Sequence, residues 1–220
     1  MSDEIRFRNN PVKRDDAQQL LQPLGVTIDP AETDDFHTLL AAVHDCADAV
    51  DKIPDYQPEP DLTRYPRQDV RRPSEEEQVL GNAWVHKFLI KGNPNGRSLA
   101  GKTVSLKDVI SVAGVPQFQG SDVIPSWTPN TDATVVTRVL DAGANIVGTS
   151  TCENFCHSTS SFTSAQGVVE NPWATGYSAG GSTSGGAALV SAGLVDITIG
   201  GDQGGSIRVP AALSGCKFLI

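Results

Sequence analysis

Two clusters of glycine and serine near the carboxyl end constrain the fold of this 220-residue chain most strongly. The first lies at residues 176–186 and the second at residues 200–206, with compact apolar runs between them. Glycine lets the backbone approach other atoms closely, and consecutive N–H groups in such loops form concave sites for anions. A serine among those donors is a candidate nucleophile with an oxyanion hole beside it. Because flexible linkers do not usually alternate with compact apolar runs, we interpret the clusters as parts of a site.

Charge and glycine content divide the chain into two parts. Residues 1–100 contain 30 of the 43 charged residues but only 4 of the 21 glycines. The change falls in the turn-rich segment 92–101. We therefore predict a first domain at residues 1–92 and a second at residues 93–220.

Helical patterns dominate the first part. A short helix is predicted at residues 15–24, stopped by Gly25, and apolar residues spaced by three and four predict an amphipathic helix at 33–53. Five prolines within residues 54–73 predict an extended linker. Ser74 and Glu77 match a capping box, and the apolar stripe after them predicts a third helix.

Strand-like and helical segments alternate in the second part. The predicted strands lie at residues 102–106, 109–113, 145–148 and 195–199, and the predicted helices at 133–142 and 187–192. This alternation predicts an α/β fold, in which helices cover a sheet.

Composition excludes several classes of function. The formal net charge is −9, whereas nucleic-acid-binding proteins need a basic stripe, so we expect no nucleic-acid partner. No apolar run approaches the length of a membrane span, and the N-terminus does not resemble a signal peptide, so a cytoplasmic protein without membrane contact is expected. Cys152, Cys156 and His157 lack a fourth ligand, so we expect no metal. No cofactor is expected either.

Three catalytic or binding motifs can be compared with the glycine–serine clusters. Residues 176–180 match the nucleophile elbow of serine hydrolases, but no buried strand precedes Ser178 and no histidine follows His157. The lysine that a phosphate-binding P-loop requires is absent. A Ser/Lys hydrolase remains, with Lys107 at the end of an apolar strand as its base. On spacing alone, a solvated lysine at a strand end explains Lys107 equally well.

The chain resembles the amidase signature hydrolases over residues 99–215. The resemblance is carried by segments 101–108 and 171–173 and, most specifically, by segments 180–186 and 201–210 together. It implies a mixed β-sheet core flanked by helices, preceded by a helical N-terminal segment. It also implies a Ser–cis-Ser–Lys triad, with Ser206 as nucleophile, Ser182 as bridging serine after a cis peptide, and Lys107 as base.

The resemblance implies further roles for residues around the triad. The backbone N–H groups of four consecutive residues form the oxyanion hole: Gln203, Gly204, Gly205 and Ser206. The remaining side chains include Thr183, which hydrogen-bonds within the triad, Asp202 and Arg208, which hold the nucleophile loop, and Ser158 and Ser160, which line the acyl pocket.

Within the family, Gln203 favours the broad-specificity amidases of nitrile and amide metabolism. These cleave small carboxylic amides to an acid and ammonia or an amine, through an acyl-enzyme. Residues 1–92 resemble the N-terminal helical domain that serves dimerisation in those enzymes, which implies a homodimer. The alternatives are an A-type glutamyl-tRNA amidotransferase subunit, which usually carries threonine at this position, and a non-catalytic fragment, because the family sequence normally runs far beyond residue 220.

Overall fold

The computed structural model describes residues 10–54 and 58–220. These residues form two compact units, which divide within the gap at 55–57. Each unit has its own secondary structure, and the second contains every residue that the sequence assigns to the site. None of the helices in the two described ranges combines the length and the hydropathy that crossing a bilayer requires.

The first unit is helical. Helix α1 (Asp16–Leu21) continues into a 3₁₀ turn that ends at Gly25, whose φ is +71°. Helix α2 (Thr33–Asp51) begins with two aspartates in its first turn, where negative charge favours the helix dipole. Both helices predicted in this region are confirmed.

A mixed five-stranded sheet forms the centre of the second unit. Its strands are β1 (Gln68–Arg71), β2 (Trp84–Ile90), β3 (Thr103–Lys107), β4 (Asn145–Ser150) and β7 (Ile197–Ile199). Their order is β1-β2-β4-β3-β7, with β3 parallel to both of its neighbours and β2 antiparallel to both of its own. The predicted α/β class is therefore confirmed. A separate hairpin pairs β5 (Glu170–Asn171) with β6 (Ala174–Ser178).

Helices pack on this sheet through apolar side chains. Helix α3 (Thr134–Asp141) contributes Leu140 to a core cluster with Leu106 of β3 and Ile146 of β4, and all three are fully buried. Helix α4 (Ser184–Ser191) contributes Leu189 to a second cluster around Trp84. Helix α5 (Arg208–Ser214) follows the second glycine–serine cluster.

Three predicted elements are wrong. The segment at residues 54–73, predicted as an extended linker, contains strand β1 of the sheet and the buried Tyr65 of the core cluster.

The helix predicted after Ser74 and Glu77 is also wrong. Both hydrogen bonds of the capping box are present: the Ser74 amide donates to the Glu77 carboxylate at 2.9 Å, and the Glu77 amide donates to the Ser74 hydroxyl at 3.3 Å. However, only a turn follows them. Leu80 and Gly81 then take positive φ, and the apolar stripe becomes strand β2 with neighbours on both sides. Its apolar run reflects burial on both faces rather than a helical stripe.

The strand predicted at 109–113 is a turn and loop, because the chain leaves the sheet after Lys107. The boundary predicted near residue 92 falls inside the second unit, just after β2.

Candidate active site

Lys107 lies at the carboxyl end of β3, in the interior of the sheet. Its side chain is 1% exposed, and its Nζ donates a hydrogen bond of 2.7 Å to Ser182 Oγ. Strand β7, a parallel neighbour of β3, ends at the same edge of the sheet and leads into the loop before α5. The hydrogen bond to Ser182 brings the turn before α4 to the same end of β3. The interpretation of Lys107 as a solvated strand-end residue is therefore wrong.

Ser182 lies in the turn before α4, and its own side chain is fully buried. The Gly181–Ser182 peptide bond is cis, as the family resemblance implied. A Cβ on Gly181 would lie 2.1 Å from the carbonyl oxygen of Ser160, so only glycine fits between this turn and the preceding loop. The Gly181 amide donates to the Thr159 carbonyl at 2.9 Å, which fixes the turn against that loop.

Glu153 supports the same turn, and the sequence analysis did not identify it. Its side chain is fully buried and accepts hydrogen bonds from Ser184 Oγ at 2.8 Å and from the Thr163 backbone and hydroxyl at 2.8 and 2.7 Å. Its amide donates to the Ser182 carbonyl at 3.2 Å. A lone glutamate among cysteines and serines gave no spacing from which this role could be predicted.

Asp202 organises the second glycine–serine cluster. Its carboxylate accepts hydrogen bonds from the amides of Gly205, Ile207 and Arg208 at 2.7 to 3.1 Å and from the Arg208 guanidinium at 2.9 and 3.1 Å. The Arg208 guanidinium, followed by these amides, holds the pKa of Asp202 well below its usual range. The two residues thus hold the loop that carries Ser206 at the start of α5.

Ser206 lies at this loop's end, close to the turn that contains Ser182. The Thr183 amide donates to the Ser206 carbonyl at 3.2 Å. Ser206 also lines a cavity of about 710 Å³ together with Gln203, Gly204 and Ser158. Within the described residues, no hydrogen bond joins the Ser182 and Ser206 hydroxyls.

Two contacts that were expected around the triad, those of Gly205 and Thr183, are not formed in the structure. The Gly205 amide is occupied by Asp202, so Gly205 cannot serve as an oxyanion donor in this conformation. The amides of Gln203, Gly204 and Ser206 have no hydrogen-bond partner among the described residues. Thr183 Oγ1 is buried and likewise lacks a partner there, so the hydrogen bond expected within the triad is missing.

The two serines expected in the acyl pocket are in contact. The Ser158 and Ser160 hydroxyls are 2.6 Å apart, and Ser158 lines the cavity beside Ser206. Ser160 touches the site through its carbonyl, against Gly181.

Asp108 follows Lys107 and is fully buried. Burial raises the pKa of its carboxyl to about 7, although the amides of Phe118 and Gln119 each donate to Oδ2 at 2.9 Å and act in the opposite direction. Oδ1 has no hydrogen-bond partner among the described residues. A buried carboxyl whose pKa is shifted this far is more frequent at functional sites than elsewhere.

Known proteins are similar to this part of the chain. The family model described as Amidase matches residues 87–217. An enantioselective amidase from Rhodococcus rhodochrous is 53% identical over 128 residues, which cover 56% of this chain and 25% of that protein. The A-type subunit of glutamyl-tRNA(Gln) amidotransferase from Haloarcula marismortui is 48% identical over 134 residues, which cover 61% of this chain and 31% of that one.

Solved structures show the same likeness. The crystal structure of the A-type subunit of glutamyl-tRNA(Gln) amidotransferase from Thermotoga maritima matches with a TM-score of 0.52 and 36% identity, over 55% of this chain and 26% of that chain. This chain thus spans about a quarter to a third of the length of the relatives it matches. Since the family model covers more than half of its residues, the chain belongs to the amidase family.

Proposed function

We propose that this chain carries the catalytic centre of an amide hydrolase, with Ser206 as nucleophile, Ser182 as bridging serine and Lys107 as base. The observation that supports it best is the 2.7 Å hydrogen bond between the Lys107 side-chain nitrogen and the Ser182 hydroxyl, both fully buried. A lysine rarely lies in a protein interior without a specific partner. Here that partner is a hydroxyl beside the loop of a second serine.

The reaction begins with the neutral amine of Lys107. Ser182 donates its hydroxyl proton to Nζ across the same 2.7 Å separation and accepts the proton of Ser206. Ser206 Oγ then bonds to the amide carbon. The leaving nitrogen takes a proton back through Ser182 and departs as ammonia or an amine. Water, activated by the same relay, releases the acid from the acyl-enzyme.

Transition-state charge is stabilised by backbone amides of the nucleophile loop. Gln203, Gly204 and Ser206 have amides without a protein partner in the described part of the chain, and all three residues line the cavity of about 710 Å³. Such donors act where charge develops on the substrate oxygen, and losing one typically costs about 3 kcal/mol in the barrier.

The substrate is a small carboxylic amide that enters this cavity. The Rhodococcus relative supports a simple amidase, and Gln203 agrees with it. The archaeal relative supports, at similar identity, an A-type amidotransferase subunit, so this is our second candidate. Release of ammonia from an aromatic amide favours the amidase, and release from glutamine alone, on addition of a partner subunit, favours the second candidate.

A homodimer through the N-terminal helices belongs to the same proposal. Helix α2 exposes Leu39, Val43 and Val50, each about two-thirds exposed, and an apolar face of this kind is typical of an interface. Sedimentation of the chain with and without residues 1–54 tests it. The domain division near residue 92 and a cytoplasmic location stay predictions from the sequence.

A fluorophosphonate probe tests the catalytic assignment directly. We expect the probe on the peptide that contains Ser206, and a loss of about a thousandfold or more in amide hydrolysis for Ser206→Ala, Ser182→Ala and Lys107→Met. Ser178→Ala is the matched control, since Ser178 occupies the rejected nucleophile-elbow motif. Labelling of Ser178, or equal activity of Ser206→Ala and the unaltered chain, would refute the assignment.

A further inference from the structure

Glu153 lies beside the turn that carries Ser182 and has no part in the proposed reaction. Its carboxylate is fully buried and forms no ion pair within residues 10–54 and 58–220. A buried carboxylate without a cation is costly unless hydrogen-bond donors surround it. Ser184 Oγ donates to Oε1 at 2.8 Å, and the amide and hydroxyl of Thr163 donate to Oε2 at 2.8 and 2.7 Å. The carboxylate therefore joins the start of α4 to the loop at 158–164.

Glu153 contacts this turn at three positions. Its carboxylate accepts from the Ser184 hydroxyl, and its amide donates to the Ser182 carbonyl at 3.2 Å. A Cβ on Gly181 would lie 2.7 Å from Glu153 Cγ, so the glutamate side chain packs directly on the residue before Ser182. None of these contacts uses the Ser182 hydroxyl, which bonds to Lys107 Nζ. Glu153 thus fixes the backbone of the turn and leaves the hydroxyl free to exchange protons.

The segment that carries Glu153 is itself fixed at the end of the sheet. It follows strand β4, and the Thr151 amide donates to the Ala83 carbonyl at 3.0 Å. The Gly185 amide donates to the Thr151 carbonyl, also at 3.0 Å, so α4 begins against the same segment. Thr151 is fully buried, like Glu153. The turn is therefore held by a buried support that continues from a central strand.

We propose that Glu153 is a positioning residue, which holds the Ser182 hydroxyl at hydrogen-bonding distance from Lys107 Nζ while protons pass between them. The role in proton transfer rests on the proposed function. A serine side chain has a single torsion between its backbone and its oxygen, so a shift of the turn moves the hydroxyl directly. The two atoms are 2.7 Å apart, and a displacement of about 1 Å from a productive geometry can cost about a hundredfold in rate.

Glu153→Ala and Glu153→Gln separate positioning from folding. Amide hydrolysis is measured per folded molecule, with the folded fraction taken from tryptophan fluorescence. We expect Glu153→Ala to lower kcat about a hundredfold with KM within about twofold, since the residues that line the cavity beside Ser206 are unaltered. Glu153→Gln should recover kcat to within about fivefold, because its oxygen can accept from the Thr163 amide and its NH₂ group can donate to the Ser184 hydroxyl.

Asp132→Asn is the matched control for these variants. Asp132 is another buried carboxylate of the second unit, where it pairs with Arg67, and its variant should keep the kcat of the unaltered chain. Unchanged kcat per folded molecule in Glu153→Ala overturns the proposal, as does a change confined to KM or a Glu153→Gln variant as slow as Glu153→Ala. If Glu153→Ala does not fold, Ser184→Ala breaks the same contact from the side of the turn and should lower kcat about tenfold; unchanged kcat then overturns the proposal.

Hydrogen exchange tests the positioning without any assay of activity. The amides of Gly181 and Gly185 are hydrogen-bonded to carbonyls of neighbouring segments. We expect a peptide spanning 178–189 to exchange about tenfold faster in Glu153→Ala than in the unaltered chain, with the exchange of β3 unchanged. Equal exchange in that peptide, or an equal increase in β3, overturns the proposal. An unaltered chain that hydrolyses no amide contradicts the proposed function and leaves the exchange of this peptide as the test of what Glu153 holds.

Discussion

Asp108 gives the strongest prediction about how the site affects stability. Its carboxyl is fully buried, and burial raises its pKa to about 7. In the unfolded chain an aspartate has a pKa of about 4. Between these two values the folded chain keeps a proton that the unfolded chain has released. Stability is therefore lost as the pH rises from 4 to 7, and Asp108→Asn, which cannot ionise, removes this loss.

The size of the effect follows from the shift in pKa. Each pH unit in which the folded chain holds one full proton more costs about 1.4 kcal/mol, or about 4 kcal/mol over three units. Because the carboxyl is half-titrated in the unfolded chain at pH 4 and in the folded chain at pH 7, the change between these two pH values is smaller, about 3 kcal/mol. The asparagine oxygen can still accept from the Phe118 and Gln119 amides, which now donate to Oδ2. We expect the free energy of unfolding of Asp108→Asn, relative to the unaltered chain, to rise by about 3 kcal/mol over this window.

Urea unfolding followed by tryptophan fluorescence measures this difference at pH 4, 5.5 and 7. Trp84, Trp127 and Trp173 all lie in the second unit, so the signal reports the unit that contains Asp108. Both proteins contain the same other titratable groups, including His86. The contributions of those groups therefore cancel when the two free energies of unfolding are subtracted. A difference that does not change with pH, or that falls as the pH rises, would refute a neutral buried carboxyl at residue 108.

Three further predictions use the same fluorescence assay. In the folded chain, burial and then the charge of Arg72 lower the pKa of His86 to about 4, so stability falls as the pH falls from 6.5 to 4, and His86→Gln should lack that fall. Gly186→Ala places a Cβ 2.3 Å from Thr198 Oγ1 and should destabilise by about 1–3 kcal/mol; Thr198→Ala in addition should restore part of the loss. Leu140→Ala, at a fully buried position, should cost about 2–5 kcal/mol, whereas Leu194→Ala, at a half-exposed one, should cost much less.

The alternation of strands and helices could be predicted because each element has its own local pattern. Helix α2 shows a regular apolar stripe, and β3 and β4 are short apolar runs bounded by polar residues or glycine. Strand β2 could not be predicted in this way. Its residues repeat with helical spacing, and a buried central strand and a buried helix have the same composition. Pairing with β1 and β4 decides between them, and pairing depends on residues far away in the sequence.

The same distinction between local patterns and long-range contacts applies to the residues of the candidate site. The glycine–serine motifs can be identified because their spacing follows from tight backbone contact, as the 2.1 Å clearance at Gly181 demonstrates. Glu153 and Asp108 could not be identified, since each depends on what surrounds it in space. Glu153 needs the hydroxyls of Thr163 and Ser184, and Asp108 needs the amides of Phe118 and Gln119. Motif spacing therefore locates the candidate serines, whereas the surroundings of the buried charged groups depend on burial and long-range contacts.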